Sequence, residues 1–318
     1  MNTHGKISQN RTFFGFILCL YLLASLLFTQ EYFGHAIEWK QAPLEKTIRF
    51  EADTPFQYRV LAPLVIRAII LTTPIDAYAA STILTVVWTF FSLLAFRILL
   101  RTFFSNAGAS FGALLLAYAM YWNYAVFGIW RMPFDLPAIL LFTLGLFALV
   151  RQRWVLFYLA FVLGALNRET ILVLSVAFIF LSWKRAEPTF VWKHVGVQLG
   201  LWMLIRATLI VIFRNNQGGQ FQTQFAANIS NLMSGMPTIP LLLSFGGLWL
   251  PAFLGWRAVD NRIRRLLLVT IPFAGVMVIV GNLHELRIYN ELVPIISMGA
   301  LGGWLAFYDR VRFGRQQK

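Results

Sequence analysis

The sequence predicts an all-α fold, a polytopic membrane helix bundle of about ten transmembrane helices, and three observations carry that expectation. Of 318 residues, 58% are hydrophobic and only 13% are charged, too few to solvate the surface of a water-soluble chain. Ten separate apolar runs can span or partly span a bilayer, and at about 20 residues per spanning helix they leave only short connections. The basic residues also fall unevenly on alternate connections, as they do when a chain is held in one orientation.

In chain order, Lys6 and Arg11 precede an apolar run over residues 12 to 30 that has no small-residue cleavage site, and it reads as a signal anchor. The segment 59 to 73 is interrupted by Arg59, Pro63 and Arg67 and closed by Pro74, which suits an interfacial helix inside a long first outer loop, 31 to 78. Spans follow at 79 to 100, 109 to 128 and 138 to 150. The stretch 154 to 183 would make one helix of about 45 Å, but Arg151 and Arg153 stand at one end and Lys184 and Arg185 at the other. Basic residues at both ends predict a hairpin instead, with Asn167-Arg168-Glu169-Thr170 at its tip and Arg168 and Glu169 as a candidate pair. The remaining spans fall at 195 to 213, 237 to 256, 266 to 281 and 292 to 307. With neither repeat nor linker, residues 1–318 are expected to form a single integral membrane domain.

The formal net charge of +14 is distributed by side. With ten spans and both termini in the cytoplasm, 17 basic residues face 3 acidic ones inside, and 9 basic face 10 acidic outside. Counting 59 to 73 as a span would put Arg262, Arg264 and Arg265 outside, so the ten-span count is preferred. The expected location is the plasma (inner) membrane. A basic excess spread over many short loops excludes nucleic acid as a partner and leaves membrane lipids. The single cysteine, Cys19, permits neither an intramolecular disulfide nor a cysteine metal site. No phosphate-binding loop motif occurs, and His284-Glu285 lacks the second histidine of a zinc helix, so no histidine-rich metal centre is expected.

Four polar clusters of mixed sign fall on the outer side. They are Glu51, Asp53 and Arg59 in the long loop; Arg131 and Asp135; Arg168 and Glu169 at the tip; and Glu285, Arg287 and Glu291. Carboxylates and guanidiniums from distant segments on one face are the layout of a site at the mouth of a bundle. The bland alternative is ion pairs seating helix ends. Arg206 lies within an apolar run and must face the bundle interior, as a phosphate ligand or as a paired structural charge. Trp122, Tyr124 and Trp130 read as packing residues, with sugar stacking as the alternative.

The chain resembles the GT-C superfamily of polytopic membrane glycosyltransferases. The resemblance rests on the architecture over roughly residues 10 to 200 and on Asp53-Thr54-Pro55-Phe56-Gln57-Tyr58-Arg59-Val60-Leu61-Ala62-Pro63, Phe134-Asp135-Leu136-Pro137 and Ala165-Leu166-Asn167-Arg168-Glu169-Thr170. Where that family often carries an Asp-Glu pair just after the first helix, this sequence reads Thr29-Gln30-Glu31-Tyr32. The resemblance implies transfer of a sugar from a polyprenyl-phosphate lipid donor to a glycan or lipid acceptor on the outer face. Such chemistry needs a carboxylate that takes or orients the acceptor proton, for which Asp53 and Glu51 are the candidates. It also needs cations for the leaving phosphate, and Arg59, Arg168 and Arg287 are placed to supply them. Arg131, Asp135, Glu169, Glu285 and Glu291 complete the expected substrate-binding set. The sequence identifies no specific cofactor, and a divalent metal held by Asp53 with Glu51 as co-ligand fits the same loop. Two other classes remain open: a secondary transporter, and a noncatalytic membrane subunit of a polysaccharide or envelope assembly system.

Overall fold

The computed structural model describes residues 3–128, 130–219, 223–235 and 238–314; Arg315 and Lys318, two of the basic residues counted inside, and Pro237, the first residue of one expected span, lie outside them. The described chain is overwhelmingly helical. Its extended structure is a two-residue parallel pairing of Ile37–Glu38 with Trp130–Arg131 and an isolated bridge between Thr54 and Gly218. These short pairings join connections between helices, where backbone groups have no helix to satisfy them.

Among the described residues, five helices are long and apolar enough to cross a membrane: Thr12–His35, Ala77–Leu100, Pro188–Ile212, Asn261–Val280 and Leu292–Asp309. Four more apolar helices, Leu61–Thr72, Asp135–Val150, Trp154–Asn167 and Glu169–Ser182, are shorter. The 109 to 128 run divides into Asn106–Gly112, Leu114–Met120 and a wider π-type stretch, Tyr121–Val126. The 237 to 256 run is also broken, because Phe245 (φ 56°) and Gly246 (φ 62°) take left-handed backbone between Thr238–Leu242 and Trp249–Leu254. A Cβ at Gly246 would lie 2.3 Å from the Tyr118 ring and 2.4 Å from the Trp122 ring, so only glycine fits this turn.

The 154 to 183 stretch reverses, as its charges predict. Arg168 is extended (φ −160°, ψ 137°) and ends Trp154–Asn167. The Trp154 and Phe178 rings then meet at 5.8 Å, whereas 24 residues of continuous helix would separate them by about 36 Å. Leu61–Thr72 forms a helix in the segment where an interfacial one is expected, with Pro63 in its first turn. A short amphipathic helix at Phe225–Met233 lies between the apolar runs that the sequence announces. Tertiary bonds hold it: Asn228 Nδ2 donates to the Val278 and Gly281 carbonyls, and its Oδ1 accepts from Leu283 N.

The centre of the fold is Asp135–Val150, of which 14 of 16 residues are buried. A helix apolar on every side has no solvent face and is sheathed by its neighbours. The first polar group of that helix, Asp135, is therefore carried into the interior.

Candidate functional site

Asp135 occupies the first turn of the central helix, where the helix N-terminus favours negative charge, and its side chain is wholly buried. Two guanidiniums converge on it. Arg168 Nη1 lies 3.4 Å from Oδ1, and Arg287 Nη1 lies 3.3 Å from Oδ2. Asn290 Nδ2 donates to the Asp135 carbonyl (3.2 Å), and Asn167 Nδ2 donates to that of Phe134 (2.7 Å). Three of the four polar clusters thus close around one carboxylate. Arg287 also pairs with Glu285 at 2.8 Å. Burial alone would lower the Arg287 pKa; Asp135 and Glu285 outweigh it and hold the guanidinium above its ordinary value.

Arg168 and Glu169 do not form the expected pair with each other, because the extended backbone at Arg168 sends successive side chains apart. Glu169 instead accepts two bonds from Arg59, from Nη2 at 2.6 Å and from Nε at 3.3 Å, which brings in the long loop after the first helix. Arg206 Nη1 approaches Glu169 Oε2 at 3.8 Å. Arg59 lies over the Phe134 ring at 4.5 Å and Arg206 over the Tyr58 ring at 4.9 Å, so each cation is also seated by an aromatic face. Trp202 Nε1 donates to the Glu169 carbonyl.

These groups line a cavity of about 790 Å³. Four guanidiniums, those of Arg59, Arg168, Arg206 and Arg287, and two carboxylates, those of Glu169 and Glu285, are on its wall. The remainder is largely apolar: Leu172, Val173 and Val176 follow the hairpin tip, Met203 and Ile210 come from Pro188–Ile212, and Phe273, Val276 and Met277 from Asn261–Val280. The polar section therefore carries an excess of positive charge beside an apolar slot.

Glu291 lies behind that wall. It is 1% exposed, and Thr170, a wall residue, donates its hydroxyl to Glu291 Oε1. Burial pushes the Glu291 carboxyl above the usual carboxylate value, and Arg168 and the Thr170 bond offset this only in part. Glu291 Oε2, the Tyr124 hydroxyl, Nε of Arg168 and of Arg287, and Oδ1 of Asn167 and of Asn290 have no protein hydrogen-bond partner among the described residues.

The long loop is fastened over this region. Val60 N donates to the Leu166 carbonyl (2.8 Å), Thr54 N donates to that of Gln217 (2.7 Å), and Asn216 Nδ2 donates to those of Phe50 and Ala52 (3.0 and 2.9 Å). Gly218 (φ +102°) makes the close approach to Thr54 possible, since a Cβ there would lie 2.3 Å from the Thr54 oxygen. The Thr54–Pro55 peptide is cis. Pro55 and Phe56 line the cavity, while Glu51 is exposed and Asp53 half-buried just ahead of them. Neither carboxylate has a hydrogen-bond or ion-pair partner among the described residues.

Of the ten site candidates named from the sequence, Arg59, Arg168, Glu169, Glu285 and Arg287 line the cavity. Asp135 and Glu291 support that wall from behind. Arg131 pairs with Glu38 at 3.3 Å and lies 4.1 Å over the Phe33 ring, fastening the loop away from the wall. Thr170 and Tyr58 gain site positions that their residue types did not announce. Tyr124 is fully buried beside the Asp135 cluster and Trp130 packs at 4.4 Å on Trp39. Among the described residues no three metal-ligating side chains come together. Comparison of the chain with family models, with curated proteins and with solved structures returned no match.

Proposed function

We propose that this chain is a multi-pass glycosyltransferase of the inner membrane that moves a sugar from a polyprenyl-phosphate donor to a glycan or lipid acceptor on the outer face. The observation that carries the reading is the cavity wall, with four guanidiniums against two carboxylates beside an apolar slot. A polyprenyl-phosphate ligand has this same division: a phosphate that charge-assisted bonds from arginine recognise, and a hydrocarbon tail that asks only for aliphatic surface. As the sugar leaves the phosphate, negative charge grows on the leaving oxygen, and prepositioned guanidiniums stabilise it there. Asp53, half-buried and unpaired next to Pro55, is the carboxylate offered to the acceptor hydroxyl, with Glu51 two residues away as its competitor or as a second ligand to a divalent ion.

The accompanying topology has ten spans and cytoplasmic termini. It takes the five long helices together with the divided 106–126 segment, the short helices Asp135–Val150, Trp154–Asn167 and Glu169–Ser182, and the broken 238–254 segment. The reversal at Arg168 and the convergence of the four outer clusters support it.

The test is to purify the full chain, identify bound lipid by native mass spectrometry and supply a labelled polyprenyl-phosphate sugar with candidate acceptors. A co-purifying polyprenyl phosphate, or consumption of the donor when acceptor is present, is the expected result. Only ordinary phospholipid over several preparations, with no donor consumption, would move the reading to a transporter or an assembly subunit.

A further inference from the structure

Glu291 differs from the other carboxylates of the site in how it is partnered. Asp135 ends on two guanidiniums and Glu169 on a bidentate arginine, as charges kept for structure do. Among the described residues Glu291 has no ion pair within salt-bridge distance; its one side-chain partner there is the Thr170 hydroxyl, and its second oxygen has none. The charged and titratable groups around it are Arg168 and Glu169 at the hairpin tip and Tyr124 from the π-type stretch, with Arg168 already engaged by Asp135. Thr170 stands between this carboxylate and the cavity. A hydroxyl donates one proton while accepting another, so a carboxylate behind it communicates with the cavity without touching what the cavity holds.

We propose that Glu291, acting through the Thr170 hydroxyl, takes the proton released by the sugar acceptor. The proposal rests on the glycosyltransferase reading. In the step, the acceptor O–H bond breaks as its oxygen bonds to the anomeric carbon. That proton passes to Thr170 Oγ1, and the proton already on Thr170 passes to Glu291 Oε1. The bond from the anomeric carbon to the phosphate oxygen breaks, and its electron pair stays on the phosphate. Asp53 then orients the acceptor from the loop, and Glu291 returns its proton along the same hydroxyl once product has left.

The experiment uses the purified full chain and the variants Glu291→Gln, Thr170→Val and Thr170→Ser. Infrared spectroscopy at a pH where Glu291 is protonated follows deuterium exchange of its carboxyl, assigned by its loss in Glu291→Gln. Thr170→Val is expected to slow that exchange by about tenfold or more, because the proton must then wait for local opening, and Thr170→Ser should restore it. With a labelled polyprenyl-phosphate sugar, Glu291→Gln should lower turnover by about 10² to 10⁴ with donor binding kept, and should abolish the fall in rate as pH drops through the Glu291 range. A wild-type chain that consumes no donor refutes the glycosyltransferase reading, and the exchange measurement still decides whether Thr170 links Glu291 to the cavity. Unchanged exchange in Thr170→Val, or wild-type turnover and pH profile in Glu291→Gln, overturns the relay.

Discussion

Asp135 and Arg287 are 152 residues apart in sequence and 3.3 Å apart in space, and the same Asp135 carboxylate also holds Arg168. One buried anion therefore ties the central helix, the hairpin tip and the segment entering the last helix. Removing it would leave two guanidiniums desolvated.

Asp135→Asn should accordingly destabilise the protein by about 3 to 5 kcal/mol, the scale expected when one member of a buried ion pair is lost. Unfolding in detergent, followed by helix signal, measures it. Adding Arg287→Gln to Asp135→Asn should recover part of the loss; a double variant no better than the single one would argue against their pairing.

At the tip, the partner of Glu169 is Arg59. A double-mutant cycle on Arg59→Gln and Glu169→Gln should give a coupling of about 0.5 to 3 kcal/mol, whereas the cycle on Arg168 and Glu169 should be the smaller of the two. The reverse order would restore the pairing of neighbours that the sequence suggests.

Asp53→Asn tests the loop carboxylate. Expression and donor binding should stay near normal while turnover falls by at least about a hundredfold, the range for a lost acid–base or orienting group. Full activity there, with loss in Glu51→Gln, would transfer the role to Glu51.

Topology is checked by labelling. In a Cys19→Ala background, single cysteines at the exposed positions Lys46 and Gln217 should react with an impermeant thiol reagent added from outside, and one at Arg257 should react only after permeabilisation. Labelling of the Arg257 position in intact cells would break the ten-span arrangement.

Asp260 provides a pH test on the other face. It caps Asn261–Leu267 by accepting from Arg262 N at 2.7 Å. Burial would raise its carboxyl, but the side-chain and backbone bonds from Arg262 outweigh this and hold it below the ordinary value. A depressed carboxylate contributes stability that is present above the unfolded value, about pH 4, and is lost as pH falls through the lower folded value. Wild type should thus exceed Asp260→Ala in stability near neutrality by about 1 kcal/mol, a typical cap contribution, and the gap should close on acidification in thermal melts.

Much of the architecture was legible because lipid imposes simple demands on composition: apolar length announced the helices, and arginines at both ends of 154 to 183 announced the hairpin. The segments of the site were legible for the same reason, since Asp135, Arg168, Glu169 and Arg287 are charges that an apolar neighbourhood does not accept unpaired. Their pairing was not. Asp135 meets its partners across 33 and 152 residues, and no local period encodes such distances. The adjacency of Arg168 and Glu169 was misleading because one extended residue sends neighbouring side chains apart. The break at Phe245 is met by a bond from across the chain, its backbone N–H donating to Asn123 Oδ1, and Thr170 was visible at the hairpin tip while its bond to Glu291, 121 residues away, was not.

Under the proposed function, the stitching of the long loop to Leu166, Asn216 and Gln217 would bear on how a lipid donor is supplied. A cover sewn down on two sides does not lift like a lid, so such a donor would load sideways, within the plane of the bilayer. The governing variable is then the surface density of the donor, its mole fraction among other lipids, and not its amount per volume of buffer. Diluting a fixed quantity of donor with inert detergent or lipid should slow the reaction even though nothing in the aqueous phase has changed.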